Sequence, residues 1–132
     1  DDGGEQVKWV YSVIFLDKRF VMVYNQKRKG WEMPGGRVEE NESPAEAAVR
    51  EAREECGCAF IPLAHKKHRD GGVFVGELGC PFGKSEMDWA LFSELPHELA
   101  FPEEEYGPIL EWARETLEKA RMERRRSRFV YD

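Results

Sequence analysis

Glu51, Glu54 and Glu55 stand three and four residues apart, just ahead of Gly57. On a helix such positions share one face, so three like charges are stacked together. Each like-charged pair costs a few tenths of a kcal/mol, and the end of a helix favours cations rather than anions. Arg50, four residues before Glu54, and Arg53 can offset part of this repulsion. A divalent cation is a fuller answer. Mg²⁺ is hard, takes oxygen ligands and binds through carboxylates together with substrate phosphates. Gly35 and Gly36, upstream in "WEMPGG", let backbone carbonyls approach a metal and let a phosphate chain come close. The alternative for the same residues is a solvated, salt-bridged helix face.

The elements that must position these groups are readable in outline. Ser43 suits an N-cap, Pro44 the first helical position, Glu46 the return arm of a capping box and Gly57 the C-cap. Ala45, Ala48, Val49, Ala52 and Cys56 then form a narrow small-residue face against a core. "VKWVYSVIFL" and "FVMVY", joined by "DKR", read as a hairpin of β-branched and aromatic residues. "NQKRKG" reads as a loop and Pro34-Gly35-Gly36 as backbone punctuation. "CAFIPLAHKKH", "GVFVGELG" and "MDWALFS" give three more strands, and "ELPHELAF" a turn or one helical turn. A second helix is expected from about Glu105 to Arg126, with Ile109, Leu110, Trp112, Ala113 and Leu117 inward. Strands lie before, between and after only two helices, so the class is α+β with a mixed sheet.

Gly36, five residues, Glu42, seven residues, then Arg50-Glu51-Ala52-Arg53-Glu54-Glu55-Cys56-Gly57-Cys58 closely resembles the Nudix box. That signature is G-x5-E-x7-R-E-U-x-E-E-x-G-U, with U a bulky aliphatic. Its seven fixed positions fall on Gly36, Glu42, Arg50, Glu51, Glu54, Glu55 and Gly57. A chance match is on the order of 10⁻⁷ or less per starting position. Ala52 and Cys58 depart from the pattern at U positions, which alters packing but removes no charge. The resemblance implies an α/β/α sandwich around a mixed sheet, with the box as a loop–helix–loop. It implies Mg²⁺-dependent hydrolysis, with Mn²⁺ as a substitute, of a nucleoside diphosphate linked to another group. Glu51, Glu54 and Glu55 then correspond to metal ligands, completed by the carbonyl of Gly35 or Gly36. Arg50 orients a box glutamate, and Glu42 supports the loop or binds metal through water. Arg37, beside the glycines, reaches a phosphate or is a plain surface arginine. The proton acceptor is Glu51 within the box, or Glu86 or Asp88 from "KSEMDW", with Asp88 the better match to the family's distal acid.

Substrate choice lies outside the box. Trp31, Phe74, Trp89 and Phe101 are candidates to stack on a base, or core residues. Glu104 or Glu105, in "FPEEEYGP", can accept hydrogen bonds from a guanine edge, or serve as an acidic helix start. "ALFSELP" and the short chain resemble nucleoside-triphosphate pyrophosphohydrolases of the 8-oxo-dGTP type. Val73, and Phe74 with Val75, stand where ADP-ribose and dinucleoside-polyphosphate hydrolases carry a proline and a tyrosine. A nucleoside triphosphate is the expected substrate. The alternatives are an RNA 5′ end, engaged by Lys27-Arg28-Lys29 and the Arg124 to Arg128 tail, and a non-catalytic nucleotide-binding module.

The 132 residues suit a single domain over 1–132, and 41% hydrophobic residues can build a core without disulfides. A net charge of −6 argues against a general binder of nucleic acid or membrane surfaces. Three cysteines make no disulfide framework, and Cys56, Cys58 and Cys80 lack zinc spacing. They are expected to be reduced, as in a cytoplasmic protein. No apolar run approaches the ~20 residues of a membrane span, and no signal peptide is visible. A monomer or homodimer is expected.

Overall fold

A computed structural model describes residues 6–81 and 83–131, with 127–131 described by backbone alone. β1 (Trp9–Leu16) and β2 (Arg19–Asn25) form the expected hairpin, turned at Asp17 with φ 55°. β5 (Cys58–His68) and β6 (Gly71–Pro81) form a second antiparallel pair. β1 and β6 run parallel from Trp9 opposite Gly71 to Phe15 opposite Glu77, which joins the hairpins into one mixed sheet. Its order is β3-β2-β1-β6-β5, where β3 is Gly30–Glu32, with β4 (Gly35–Arg37) added to β1 and β7 (Trp89–Phe92) to β2.

β1 and β2 part company along their length. They pair at Phe15–Phe20 and Leu16–Arg19, while the start of β1 pairs with β4 and the end of β2 with β3. The wedge between them is filled by β3 (Gly30–Glu32) and β4 (Gly35–Arg37). This segment therefore departs from the loop expected of it. Gly35 and Gly36 are ladder residues opposite Tyr11 and Val10. A side chain at position 35 would collide with the Val10 carbonyl and with Tyr11, so glycine permits the pairing.

Alternation along the central strands feeds two cores. Val13, Phe15, Phe20, Met22, Val73 and Val75 meet one helix, α2 (Glu103–Tyr131), through Tyr106, Ile109, Leu110, Ala113 and Leu117. Val10, Ile14, Val21, Val23, Phe60 and Phe74 meet the other, α1 (Pro44–Cys56). The result is the helix–sheet–helix sandwich. The α1 caps form as expected: Ser43 Oγ accepts from Glu46 N–H at 3.1 Å, Glu46 Oε1 accepts from Ser43 N–H at 2.8 Å, and Gly57 adopts φ 68°. Its inner face is Ala47, Ala48, Ala52 and Cys56, whereas Ala45 and Val49 point outward. The segment 94–101 forms no helix, and Leu99 bridges to Trp31. Cys56, Cys58 and Cys80 are all free thiols. No helix among the described residues is long and apolar enough to cross a membrane.

Candidate active site

Pairing of β4 with β1 and packing of α1 on the same face bring the glycine turn against the acidic ridge. A side chain at position 36 would strike the Glu51 carboxylate. Glu55 Oε1 accepts the Gly35 N–H at 3.0 Å. These two contacts fix the turn and the ridge against each other.

Arg50 is the hub. Its Nε and Nη2 donate to the two oxygens of Glu42 at 2.7 and 3.1 Å, a bidentate pair. Nη1 donates to Glu51 Oε2 and to Glu54 Oε1, each at 3.2 Å, and Nη2 also donates to the Arg37 carbonyl at 2.9 Å. A guanidinium has five N–H donors, and five acceptors surround this one. The Glu42 pair holds the guanidinium firmly protonated and holds the Glu42 carboxyl below the usual carboxylate range. Glu42 Oε1 also accepts the Glu39 N–H at 2.9 Å, so the loop before α1 is tied down.

The ridge is electrostatically uneven. Burial pushes the Glu55 carboxyl up to about 8; Glu51, Glu32 and Glu86 add to the rise, and the Gly35 N–H opposes it. Burial likewise raises Glu51, with Glu54 and Glu86 adding and Arg50 opposing. Glu54 is the most open of the three, with its side chain 40% exposed.

Glu86 and Asp88 separate here. The Glu86 N–H donates to the Glu54 carbonyl at 2.8 Å and Met87 N–H to the Glu55 carbonyl at 3.4 Å, so this loop satisfies the last carbonyls of α1. The Glu86 charge acts on both Glu51 and Glu55. Asp88, exposed like Glu86, meets the sheet through its carbonyl, which accepts the Tyr24 N–H at 2.9 Å. The Arg37 side chain is exposed beside Gly36.

Next to Gly35 and Gly36 opens a cavity of about 540 Å³. Its walls include Trp9, Tyr11, Arg28, Phe101, Glu105 and Tyr106. Of the four aromatic candidates, Phe101 lines it, Phe74 is buried in the α1 core, Trp31 packs on the α2 core, and Trp89 lies exposed on β7. Glu105 lines it and pairs with Arg69 at 3.0 Å, while Glu104 is exposed. Glu32 and Arg69 escape a reading of the sequence because they sit in a three-residue strand and a turn, neither of which has a period, and Arg28 reads there only as part of a basic loop. The side chains of Ser127 and Arg128, in the basic tail, lie outside the described residues.

Do these residues suit a hard divalent cation? Among the described residues no three His, Cys, Asp or Glu side chains converge as a ready-made cage. The donors nonetheless fit chemically: oxygen ligands on one ridge, with a glycine strand so close that no side chain intervenes.

A NUDIX domain model matches residues 7–132. The chain belongs to the Nudix family. Its class is that of a pyrophosphohydrolase acting on phosphorus-containing anhydrides. Solved structures share the fold. A pyrophosphohydrolase from Bacillus subtilis aligns with TM-score 0.66 and 20% identity over 91% of this chain and 86% of its own. An ADP-ribose pyrophosphatase from Streptococcus suis gives 0.64 and 20% over 80% and 90%. A MutT described for Aliivibrio salmonicida and Vibrio cholerae gives 0.57 and 23% over 83% and 97%. No curated protein matches the chain. This Nudix chain is thus similar in fold to proteins named for different substrates, and its own cavity must argue the choice.

Proposed function

We propose that this Nudix chain is a Mg²⁺-dependent pyrophosphohydrolase cleaving a diphosphate linkage in a nucleoside triphosphate, oxidised purine nucleotides included. The observation that carries the reading is the adjacency of the Glu51–Glu54–Glu55 ridge, the Gly35-Gly36 strand and an aromatic cavity. A phosphate chain laid along the glycines leaves its nucleoside pointing into that cavity.

Glu51, Glu54 and Glu55, with the Gly36 carbonyl, would hold Mg²⁺ or Mn²⁺. When bound, the ion supplies positive charge over the phosphate oxygens. Arg50 holds Glu51 and Glu54 on one side of the ridge and keeps Glu42 and the Arg37 carbonyl in register. The attacking water must lose a proton to a carboxylate oxygen within reach. Glu51 is one candidate and the loop acids are the others, with Glu86 favoured by its hold on α1 and Asp88 by its place before Trp89. Arg37 contacts the phosphate chain, and Glu105 accepts hydrogen bonds from the base edge. We place the enzyme in the cytoplasm.

The test is release of phosphate or pyrophosphate from a panel of nucleoside triphosphates, ADP-ribose, UDP-sugars and 5′-triphosphorylated RNA, with Mg²⁺ or Mn²⁺. The expected result is turnover of a nucleoside triphosphate that chelation abolishes. Binding without turnover of any substrate sinks the catalytic reading, and turnover of the RNA alone replaces the substrate.

A further inference from the structure

Arg28 takes no part in the box, yet it lines the cavity and is anchored from several directions. Asn25 Oδ1 accepts the N–H groups of Lys27 and Arg28 at 2.9 and 3.0 Å, which sets the loop. Arg28 Nη1 donates to Glu32 Oε1 at 3.2 Å, and the other Glu32 oxygen accepts from Asn25 Nδ2 at 3.1 Å. The guanidinium carbon lies 4.9 Å from the centre of the Phe101 ring. Phe101 is fixed in turn. The Trp31 N–H donates to the Glu98 carbonyl at 2.7 Å and Ala100 N–H to the Trp31 carbonyl at 2.8 Å, and Gly30 leaves no room for a side chain against Ala100. The Tyr106 ring stands perpendicular to Phe101 at 6.1 Å.

A guanidinium seated on an aromatic ring still has a second flat face. The Arg28 side chain is 53% exposed and lines the cavity, so a base entering there can reach the guanidinium. Guanidinium planes stack well on nucleobases, and such contacts are tolerant of base identity. Glu32 accepts one Arg28 N–H and offsets part of its charge, while the flat face of the guanidinium takes no part in that pair.

We propose that Arg28, seated on Phe101, is the stacking platform for the substrate's nucleobase, an inference that rests on the nucleotide reading of the cavity. The platform holds the base by its face, while polar groups such as Glu105 address its edge. Lysine keeps the charge and can keep the pair with Glu32, but it is a point charge with no plane.

The experiment compares wild type, Arg28→Lys and Phe101→Leu, each checked for an unchanged thermal midpoint. KM and kcat are measured on a purine nucleoside triphosphate, and inhibition by inorganic tripolyphosphate, which has no base, is measured alongside. Both variants should raise KM about tenfold, the scale of one lost base stack. The loss should fall in KM rather than kcat, and tripolyphosphate inhibition should be unaltered. An unchanged KM in Arg28→Lys overturns the platform, and so does an equal weakening of tripolyphosphate. If wild type turns over no nucleoside triphosphate, the catalytic reading fails by itself. The platform is then judged by tryptophan fluorescence with a purine nucleoside monophosphate against ribose 5-phosphate. Selective loss of the former in Arg28→Lys supports it. Equal affinities, or no binding of either by wild type, overturn it.

Discussion

Replacing Glu55 with glutamine should stabilise the metal-free protein while removing its turnover. Burial raises the Glu55 carboxyl from its ordinary 4.5 to about 8. The folded state therefore keeps this proton across a range where the unfolded chain has released it. Stability from this group is fully present below pH 4.5, falls as pH rises, and is lost once pH passes about 8. At 1.36 kcal/mol per pH unit the full span is worth ~5 kcal/mol. Water reaches part of this carboxyl, and screening reduces the figure to roughly 2 kcal/mol. Glutamine resembles the protonated acid, and its amide oxygen can still accept the Gly35 N–H.

Urea denaturation in EDTA at pH 5, 7 and 9 measures the effect. Wild type and Glu55→Gln should nearly coincide at pH 5 and diverge to roughly 2 kcal/mol at pH 9, or about 5–10 °C in Tm. Glu51 is also raised, but it is present in both proteins and largely cancels from the difference. Added Mg²⁺ should stabilise wild type and not the variant, and turnover should fall at least about a hundredfold. Parallel pH dependences, or a variant less stable than wild type at pH 9 without metal, would refute the reasoning.

Arg50→Lys leaves at most three donors for five acceptors and should cost roughly 2 kcal/mol in urea denaturation, with an unchanged m-value. Gly36→Ala drives a methyl into the Glu51 carboxylate, so the Mg²⁺ concentration for half-maximal turnover should rise at least about tenfold while the fold survives. Glu86→Gln should reduce turnover about a hundredfold, the scale of a lost proton acceptor, and Asp88→Asn by only a few-fold; the reverse ranking assigns the proton to Asp88. Mg²⁺ added at pH 7 in weak buffer should release a proton from Glu55, and the release should vanish at pH 9.

How much of this was legible depends on how local each signal is. The ends of α1 are set by Ser43, Pro44, Glu46 and Gly57, all chemistry within one turn, and the structure places every one of them as read. The rotation of that helix was less legible. With alanines at 45, 47, 48 and 52, hydrophobic contrast around the helix is faint, so periodicity omits Ala47 and turns Ala45 and Val49 inward, whereas both are exposed. β3 and β4 are three residues each, too short for alternation, and Gly35 and Gly36 read as breakers until their pairing with β1 is known. The cavity was hidden for a similar reason. Tyr11, Arg28, Glu32, Arg69 and Glu105 meet only because β1 and β2 diverge and the β5–β6 turn reaches α2.

The acidic ridge that first suggested a metal turns out to be tolerable without one. Arg50 spends every N–H on the ridge and its loop, and burial, with the neighbouring carboxylates adding, favours the protonated form of Glu55. On the proposed reading, an arriving cation would meet carboxylates on one helix face, but would compete with Arg50 for Glu51 and Glu54 and with a proton for Glu55. Both competitors would weaken the binding of a lone ion. A phosphate chain on the glycine strand adds the oxygens that a lone ion lacks, so cation and substrate should each strengthen the other's hold. On that reading the site would be tightest with both present, which is when turnover requires it.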